Sequence, residues 1–112
     1  MKELIIGVIF LGNLQITSYR SVPEQTDSTP FITATGQHTH DSGVALSRDL
    51  LSRWNGSVRY GDIIYIDGFG FKVVNDCMNK RHTKAVDIWV ETYKEEKAIG
   101  IRQRNVWLVQ KK

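Results

Sequence analysis

The chain has 112 residues, a hydrophobic content of 41% and a formal net charge of +3. This length predicts a single domain over residues 1–112, whose core needs no disulfide or metal. Basic residues are spread along the chain and are not clustered with aromatic residues. The composition therefore argues against a nucleic-acid-binding protein and leaves an anionic polymer as an electrostatic partner. The single cysteine, Cys77, excludes an intrachain disulfide, and we expect a buried structural thiol there.

The N-terminal segment begins with an apolar run at residues 4–11. It is too short to span a bilayer, and no small-residue cleavage site follows it. Further on, Leu14 and Ile16 alternate with Gln15 and Thr17, which is typical of a strand. We therefore expect one or two strands here and no membrane span. A shortened secretory signal is the alternative interpretation.

Two polar segments follow. Residues 20–30 contain both prolines and show no periodicity, which predicts a surface loop. In the turn at residues 37–43, His38, His40 and Asp41 suggest a metal site. Three ligands without a second cluster do not complete a coordination shell. We therefore expect a solvated loop, with no metal and no other cofactor.

The remaining sequence consists of short apolar runs separated by turn signals. Helical turns are predicted at residues 48–54, with Ser47 as N-cap, and a charged helix at residues 91–98 ends before Gly100. Asp67 and Gly68 form the strongest hairpin signal. Strands are predicted at residues 44–47, 63–66, 69–74, 86–90 and 105–109. This pattern indicates a mainly β domain, a compact barrel with one or two short helices.

Two aspartates flank a basic loop within residues 73–90. Asp76 follows an apolar pair, and Asp87 interrupts an apolar run at a position where a strand usually carries Val or Thr. We expect one connected pair of strands that brings both carboxylates to one end. Neighbouring carboxylates among apolar residues differ in pKa, so that one stays protonated as a general acid does. The alternative is that these aspartates accept backbone N–H bonds in turns.

Several strings together resemble the 3D domain, a family named for three aspartates. The resemblance covers the chain from about Phe10 and implies a six-stranded double-psi β-barrel. No single string is specific, but their order and spacing are. The matching strings are ITSY at 16–19, TATG at 33–36, GVALS at 43–47, GDIIYIDGFG at 61–70, VND at 74–76, MNKR at 78–81 and VDIW at 86–89.

The resemblance also implies a function. The family occurs in wall-active proteins of spore-forming bacteria and in membrane-bound lytic transglycosylase A. It implies cleavage of the β-1,4 bond between N-acetylmuramic acid and N-acetylglucosamine in peptidoglycan, leaving a 1,6-anhydro product. Asp87 matches the catalytic acid, and Asp76 matches the partner that keeps it protonated. The implied substrate contacts are Tyr19, Thr33, Thr35, Asn79, Lys80 and Arg81.

The sequence departs from the family pattern at two places. Ser47 stands where the first named aspartate is expected, with Asp49 two residues on, and residues 77–79 replace glycines. These departures affect the expected shape of the subsites more than the chemistry. The long polar turn and the absence of a clear export signal suggest, besides a location at the cell wall, a phage or mobile-element version carried in a virion or released with lysis machinery. The other interpretations are a non-catalytic wall-binding module similar to expansins and a structural component of a phage particle.

Overall fold

The computed structural model describes residues 5–20 and 43–111, with side chains from 7 to 20 and from 43 to 110. It confirms a mainly β fold. The helix α1 spans Tyr93–Ile99, and two single-turn 3₁₀ helices, Arg48–Leu50 and Ser52–Trp54, connect the second and third strands. The strands are β1 (Ile5–Tyr19), β2 (Gly43–Leu46), β3 (Ile63–Ile66), β4 (Gly70–Cys77), β5 (Ala85–Trp89) and β6 (Arg102–Lys111).

The six strands form one closed sheet in the order β1-β5-β2-β4-β3-β6, and β6 pairs back onto β1. Two pairs are parallel, β1 with β5 and β2 with β4. The other four pairs are antiparallel. The predicted hairpin between β3 and β4 is confirmed, with Gly68 at a φ of 83° in its turn.

The pairing pattern has an internal two-fold symmetry. Exchanging β1 with β4, β2 with β5 and β3 with β6 converts every pairing into another pairing of the same direction. The parallel pair β1–β5 becomes the parallel pair β4–β2, for example. The first three strands and the last three therefore occupy equivalent places in the sheet, and the axis of the exchange passes between β2 and β5.

Alternate residues of the strands form the core inside the closed sheet. This is the period-2 pattern expected of strands with one buried face, and β1 shows it with Leu14 and Ile16 directed inward. The intervening residues, such as Thr17, are directed outward. The other core residues on the strands are Val44, Leu46, Ile64, Ile66, Val74, Val86, Ile88, Val106 and Leu108.

An aromatic row covers the outer face of β1, β6, β3 and β4. Phe10 opposes Trp107, which opposes Tyr65, which opposes Phe71. Their ring centroids lie 5.6, 6.1 and 5.0 Å apart in that order, with tilted or edge-on geometries. Such cross-strand aromatic pairs add about 0.5–1.5 kcal/mol each beyond their area burial. They stabilise the four strands of the sheet other than β2 and β5.

Helical segments are present at both predicted places, but their type and their caps differ from the prediction. The turns after β2 are 3₁₀ and not α-helical, and Ser47 makes no side-chain cap there. Helix α1 begins after Thr92, which forms a reciprocal capping box with Glu95, and ends at Gly100 with a φ of 60°. Within residues 5–20 and 43–111, no helix has the length and apolarity needed to cross a membrane.

Candidate functional site

A row of four directly opposed residues crosses β1, β5, β2 and β4. Thr17 pairs with Asp87, Asp87 with Ala45, and Ala45 with Asp76. Residues opposed across paired strands project to the same face of a sheet. Because Val86 and Ile88 belong to the core, this shared face is the outer one. Two aspartates that are eleven residues apart in sequence are thus brought onto one surface.

The sheet does not place the aspartates as the sequence suggested. We expected β4 and β5 to be one connected pair of strands, but β2 lies between them. The two Cα atoms are separated by two strand spacings, roughly 10 Å. Ala45, whose side chain is small, occupies the middle of that gap. A ligand lying over Ala45 would meet both carboxyl groups from the same side, that of the sheet.

A β-bulge determines which way Asp76 faces. Val44 pairs with Val74, but the next residue, Ala45, pairs with Asp76, so Asn75 is the extra residue. Bulges re-aim the side chains that follow them. Without this one, Asn75 would oppose Ala45 and Asp76 would be directed toward the core. Asn75 is itself buried, at 2% exposure.

Asp87 has the electrostatics of a carboxyl group that retains its proton. Burial raises its pKa from 3.8 to about 6, and the charges of Glu96 and Asp76 act in the same direction. A hydrogen bond of 2.8 Å from the Thr17 hydroxyl to Oδ1 of Asp87 opposes this rise, because it stabilises the ionised form. Burial is the largest cause. Asp76 therefore adds to a shift that it does not produce alone.

A small apolar cluster adjoins the row on the outer face. It consists of Tyr19, Ala45, Met78 and Ala85, with Trp89 packed against them. The side chain of Tyr19 is 7% exposed, and its hydroxyl has no hydrogen-bond partner within the described part of the chain. Burial, together with the charges of Asp76 and Asp87, raises the pKa of Tyr19 above its ordinary value. This hydroxyl is a neutral donor without an acceptor beside two carboxyl groups.

The other predicted substrate contacts have different outcomes. Asn79, Lys80 and Arg81 form the exposed turn between β4 and β5. The side-chain oxygen of Asn79 accepts the Arg81 backbone N–H at 3.1 Å, so this amide shapes the turn. Thr33 and Thr35 lie outside the described residues, as do His38, His40 and Asp41.

The residues at the departures from the family pattern have structural contacts. The Ser47 hydroxyl accepts the backbone N–H of Ala85 at 3.0 Å, and the Ser47 N–H donates to the Ala85 carbonyl. The Asp49 carboxylate accepts the N–H of Lys84, a residue with a φ of 48°. Both contacts fix the start of β5. Cys77 is half-buried and packs against the core.

Sequence reasoning did not identify Thr17, Ala45 or Glu96 as site residues. Alternation along β1 already placed Thr17 on the face opposite Leu14 and Ile16. Nothing local showed which strand would lie beside it. Glu96 is on α1, and its carboxylate pairs with Arg20 Nε at 3.1 Å. That contact joins residues 76 positions apart, so only the closed sheet reveals it.

No protein-family model matches the chain, and no curated protein sequence is detectably similar to it. Across residues 5–20 and 43–111, no group of three or more His, Cys, Asp or Glu side chains is placed to hold a metal ion. The row and the adjoining cluster contribute four side chains with polar chemistry. These are one carboxyl group with a raised pKa, a second carboxyl group, a threonine hydroxyl and a buried phenol.

Proposed function

We propose that this protein is a peptidoglycan lytic transglycosylase of the 3D-domain type, with Asp87 as its acid and base. The observation that carries the proposal is the half-buried Asp87 on an outer face of the sheet, with a pKa raised to about 6. A carboxyl group of this kind donates a proton near neutral pH and is basic enough to accept one afterwards. The choice of peptidoglycan as substrate comes from the resemblance of the sequence strings to the 3D domain.

The reaction needs only one such group. Asp87 protonates the oxygen that links N-acetylmuramic acid to N-acetylglucosamine, and the bond from C1 to that oxygen breaks. The C6 hydroxyl of the muramic acid then forms a new bond to C1 and releases its proton to the Asp87 carboxylate. Asp87 ends protonated, as it began. No water is consumed, and the product is a 1,6-anhydro sugar.

Asp76 has a supporting role in this proposal. Its charge helps to keep Asp87 protonated, and it faces the same surface as Asp87. A hydrolytic glycosidase has carboxyl groups on both sides of the bond that it cleaves. Asp76 and Asp87 project from one face of one sheet, so they lie on the same side of a bound glycan. This arrangement favours attack by the internal hydroxyl over attack by water.

The topology supports the double-psi barrel that the resemblance implies. A closed ring of six strands contains two parallel pairs that exchange under a two-fold operation. In this proposal the row containing Asp87 forms the floor of the substrate groove, with Tyr19, Asn79, Lys80 and Arg81 contacting the glycan. The protein acts at the cell wall, either from the outer side of the bacterial membrane or from a phage particle.

Digestion of purified sacculi tests the proposal. The parent protein should release anhydro-muropeptides detectable by mass spectrometry, and borohydride should find no new reducing ends. Asp87→Asn should fold and lose about 10²–10⁴-fold in rate, the contribution of general acid–base catalysis. New reducing ends in proportion to cleavage would show hydrolysis instead. Binding to sacculi without any release of product would identify a non-catalytic wall-binding module, and neither binding nor release would favour a structural component.

A further inference from the structure

One edge of β1 has no partner strand over most of its length. β5 pairs with β1 only at residues 15–19, whereas β6 pairs with the opposite edge along residues 5–16. On the β5 side, residues 7–13 therefore face no strand of the described part of the chain. Backbone N–H and C=O groups of a strand point alternately to its two edges. This edge thus presents a row of backbone donors and acceptors with which another chain can pair.

The side chains at this free edge are apolar and exposed. Val8, Ile9 and Phe10 are 56%, 40% and 56% exposed. Because they are consecutive residues of a strand, they make both faces of the β1–β6 ribbon apolar at this point. Contiguous exposed apolar side chains are typical of an interaction site. Phe10 also ends the aromatic row, so a strand added at this edge would extend the apolar outer face.

The absence of charge along the edge favours a second copy of this chain as the partner. No Asp, Glu, Lys or Arg occurs at residues 5–19, so two copies of the edge bring no like charges together. Edge strands that avoid pairing usually carry charged side chains. The edge of β6 that extends beyond β3, at residues 102–105, carries Arg102 and Arg104. The free edge of β1 lacks this protection.

We propose that the free edges of β1 from two copies of the chain pair in antiparallel fashion, around a two-fold axis at Ile9. Each copy then supplies acceptors for the donors of the other, as an interface with two-fold symmetry requires. Ile9 faces the partner's Ile9, and Val8 faces the partner's Phe10, so the contact covers all three exposed side chains. It lies roughly 25 Å along β1 from Thr17, which leaves the Asp87 row open. Because each copy has one such edge, assembly stops at two chains.

Charged substitutions at Ile9 test both the contact and its register. Ile9→Lys and Ile9→Glu each place two like charges opposite each other across the axis. The dissociation constant of the dimer, measured by sedimentation equilibrium, should rise by at least about tenfold in each variant. An equimolar mixture of the two should dimerise again, because opposite charges then meet. Ile101→Lys is the matched control. Ile101 is 73% exposed and lies outside the strands, so this variant should dimerise as the parent protein does.

Disulfide cross-linking is a second measurement that introduces no charge. In a Cys77→Ser background, Ile9→Cys should form a disulfide between copies, because directly opposed Cα atoms lie about 4.5–5.5 Å apart, within the range that a disulfide spans. Val8→Cys in the same background should not. Its two copies are diagonal neighbours, about 7–8 Å apart, which is beyond the reach of a disulfide.

A parent protein that remains monomeric across the whole concentration range would overturn the proposal. A dimer that tolerates both charged variants would also overturn it, as would a cross-link that forms in Val8→Cys and not in Ile9→Cys, because either result moves the contact away from Ile9. Assemblies of more than two chains would show that the pairing is not closed by a two-fold axis. None of these measurements involves glycan cleavage, so their outcome is separate from that of the sacculus digestion.

Discussion

The Thr17 hydroxyl donates a hydrogen bond of 2.8 Å to Oδ1 of Asp87, at the position where β1 and β5 pair in parallel. This bond opposes every other influence on that carboxyl group. Burial and the charges of Glu96 and Asp76 favour the protonated form, whereas the donated hydrogen bond favours the ionised form. The pKa of Asp87, about 6, therefore reflects its burial together with groups on three other elements, β1, β4 and α1.

Replacing Thr17 by valine should raise the pKa of Asp87, because the carboxylate loses its donor. The alkaline limb of the pH–rate profile should move to higher pH, and stability at pH 8 should fall by about 1–2 kcal/mol. Thr17→Ser retains a hydroxyl and should stay close to the parent protein. A profile that moves to lower pH in Thr17→Val would contradict the assigned direction of this hydrogen bond.

Asp87→Asn should stabilise the fold at neutral and alkaline pH. A folded-state pKa above the unfolded value means that the folded protein prefers the protonated form. The ionised Asp87 therefore costs stability as pH rises through the interval from 3.8 to about 6. Removing it should add at most about 3 kcal/mol at pH 8, and nothing below about pH 4. Urea unfolding at both pH values measures this.

Asp67→Asn is the matched control for that experiment, because it makes the same change at an exposed aspartate. Asp67 lies in the turn between β3 and β4 and is exposed, so its replacement should change stability little at either pH. An Asp87→Asn protein that is no more stable than its parent at pH 8 would show that Asp87 is not held in an unfavourable ionised state.

Asp76→Asn should shift the alkaline limb of activity to lower pH. Loss of a neighbouring negative charge lowers the pKa of Asp87. Asp87 then loses its catalytic proton at a lower pH. Asparagine retains an oxygen to accept the Cys77 backbone N–H, which Asp76 now accepts at 2.9 Å. The local fold should thus survive. An unchanged profile would assign Asp76 to backbone contacts alone.

Gly43→Ala should destabilise the protein through the bulge in β4. A Cβ atom at Gly43 would lie 2.7 Å from Nδ2 and 3.1 Å from Oδ1 of Asn75, the extra residue of that bulge. Asn75 would have to move, and we expect a loss of about 1–3 kcal/mol. At Gly7 the nearest atom would be the Gln110 side-chain oxygen at 3.5 Å. Gly7→Ala should therefore be tolerated in the same thermal unfolding assay.

The sequence predicted where the strands and helices lie better than it predicted which strands pair with each other. Strands such as β3 and β5 follow from runs of β-branched and aromatic residues, and the β3–β4 hairpin follows from Asp67 and Gly68. The insertion of β2 between β4 and β5 does not follow from either strand, because closure of the whole sheet determines it. Local periodicity gave no reason to expect Asn75 as an extra residue.

In the candidate site, too, some residues could be predicted from the sequence and others could not. Asp87 was identifiable because an aspartate in an apolar strand requires compensation, and the Thr17 hydroxyl supplies part of it. The gap filled by Ala45 was not identifiable, because it depends on the register of three strands distant in sequence. Glu96 was hidden for a related reason. A charged residue on a short, exposed helix indicates solvation unless its partner on another element is known.

The two-fold pairing pattern has a consequence for how the chain acquires its structure. None of the six pairings joins two strands of the same half: each links one of β1, β2 and β3 to one of β4, β5 and β6. Neither half can thus satisfy its backbone hydrogen bonds alone. During synthesis β1 must wait for β5 and β6, so folding should be slow for a chain of this size. A cut between β3 and β4 should yield two fragments that are unfolded apart and form a sheet only when mixed.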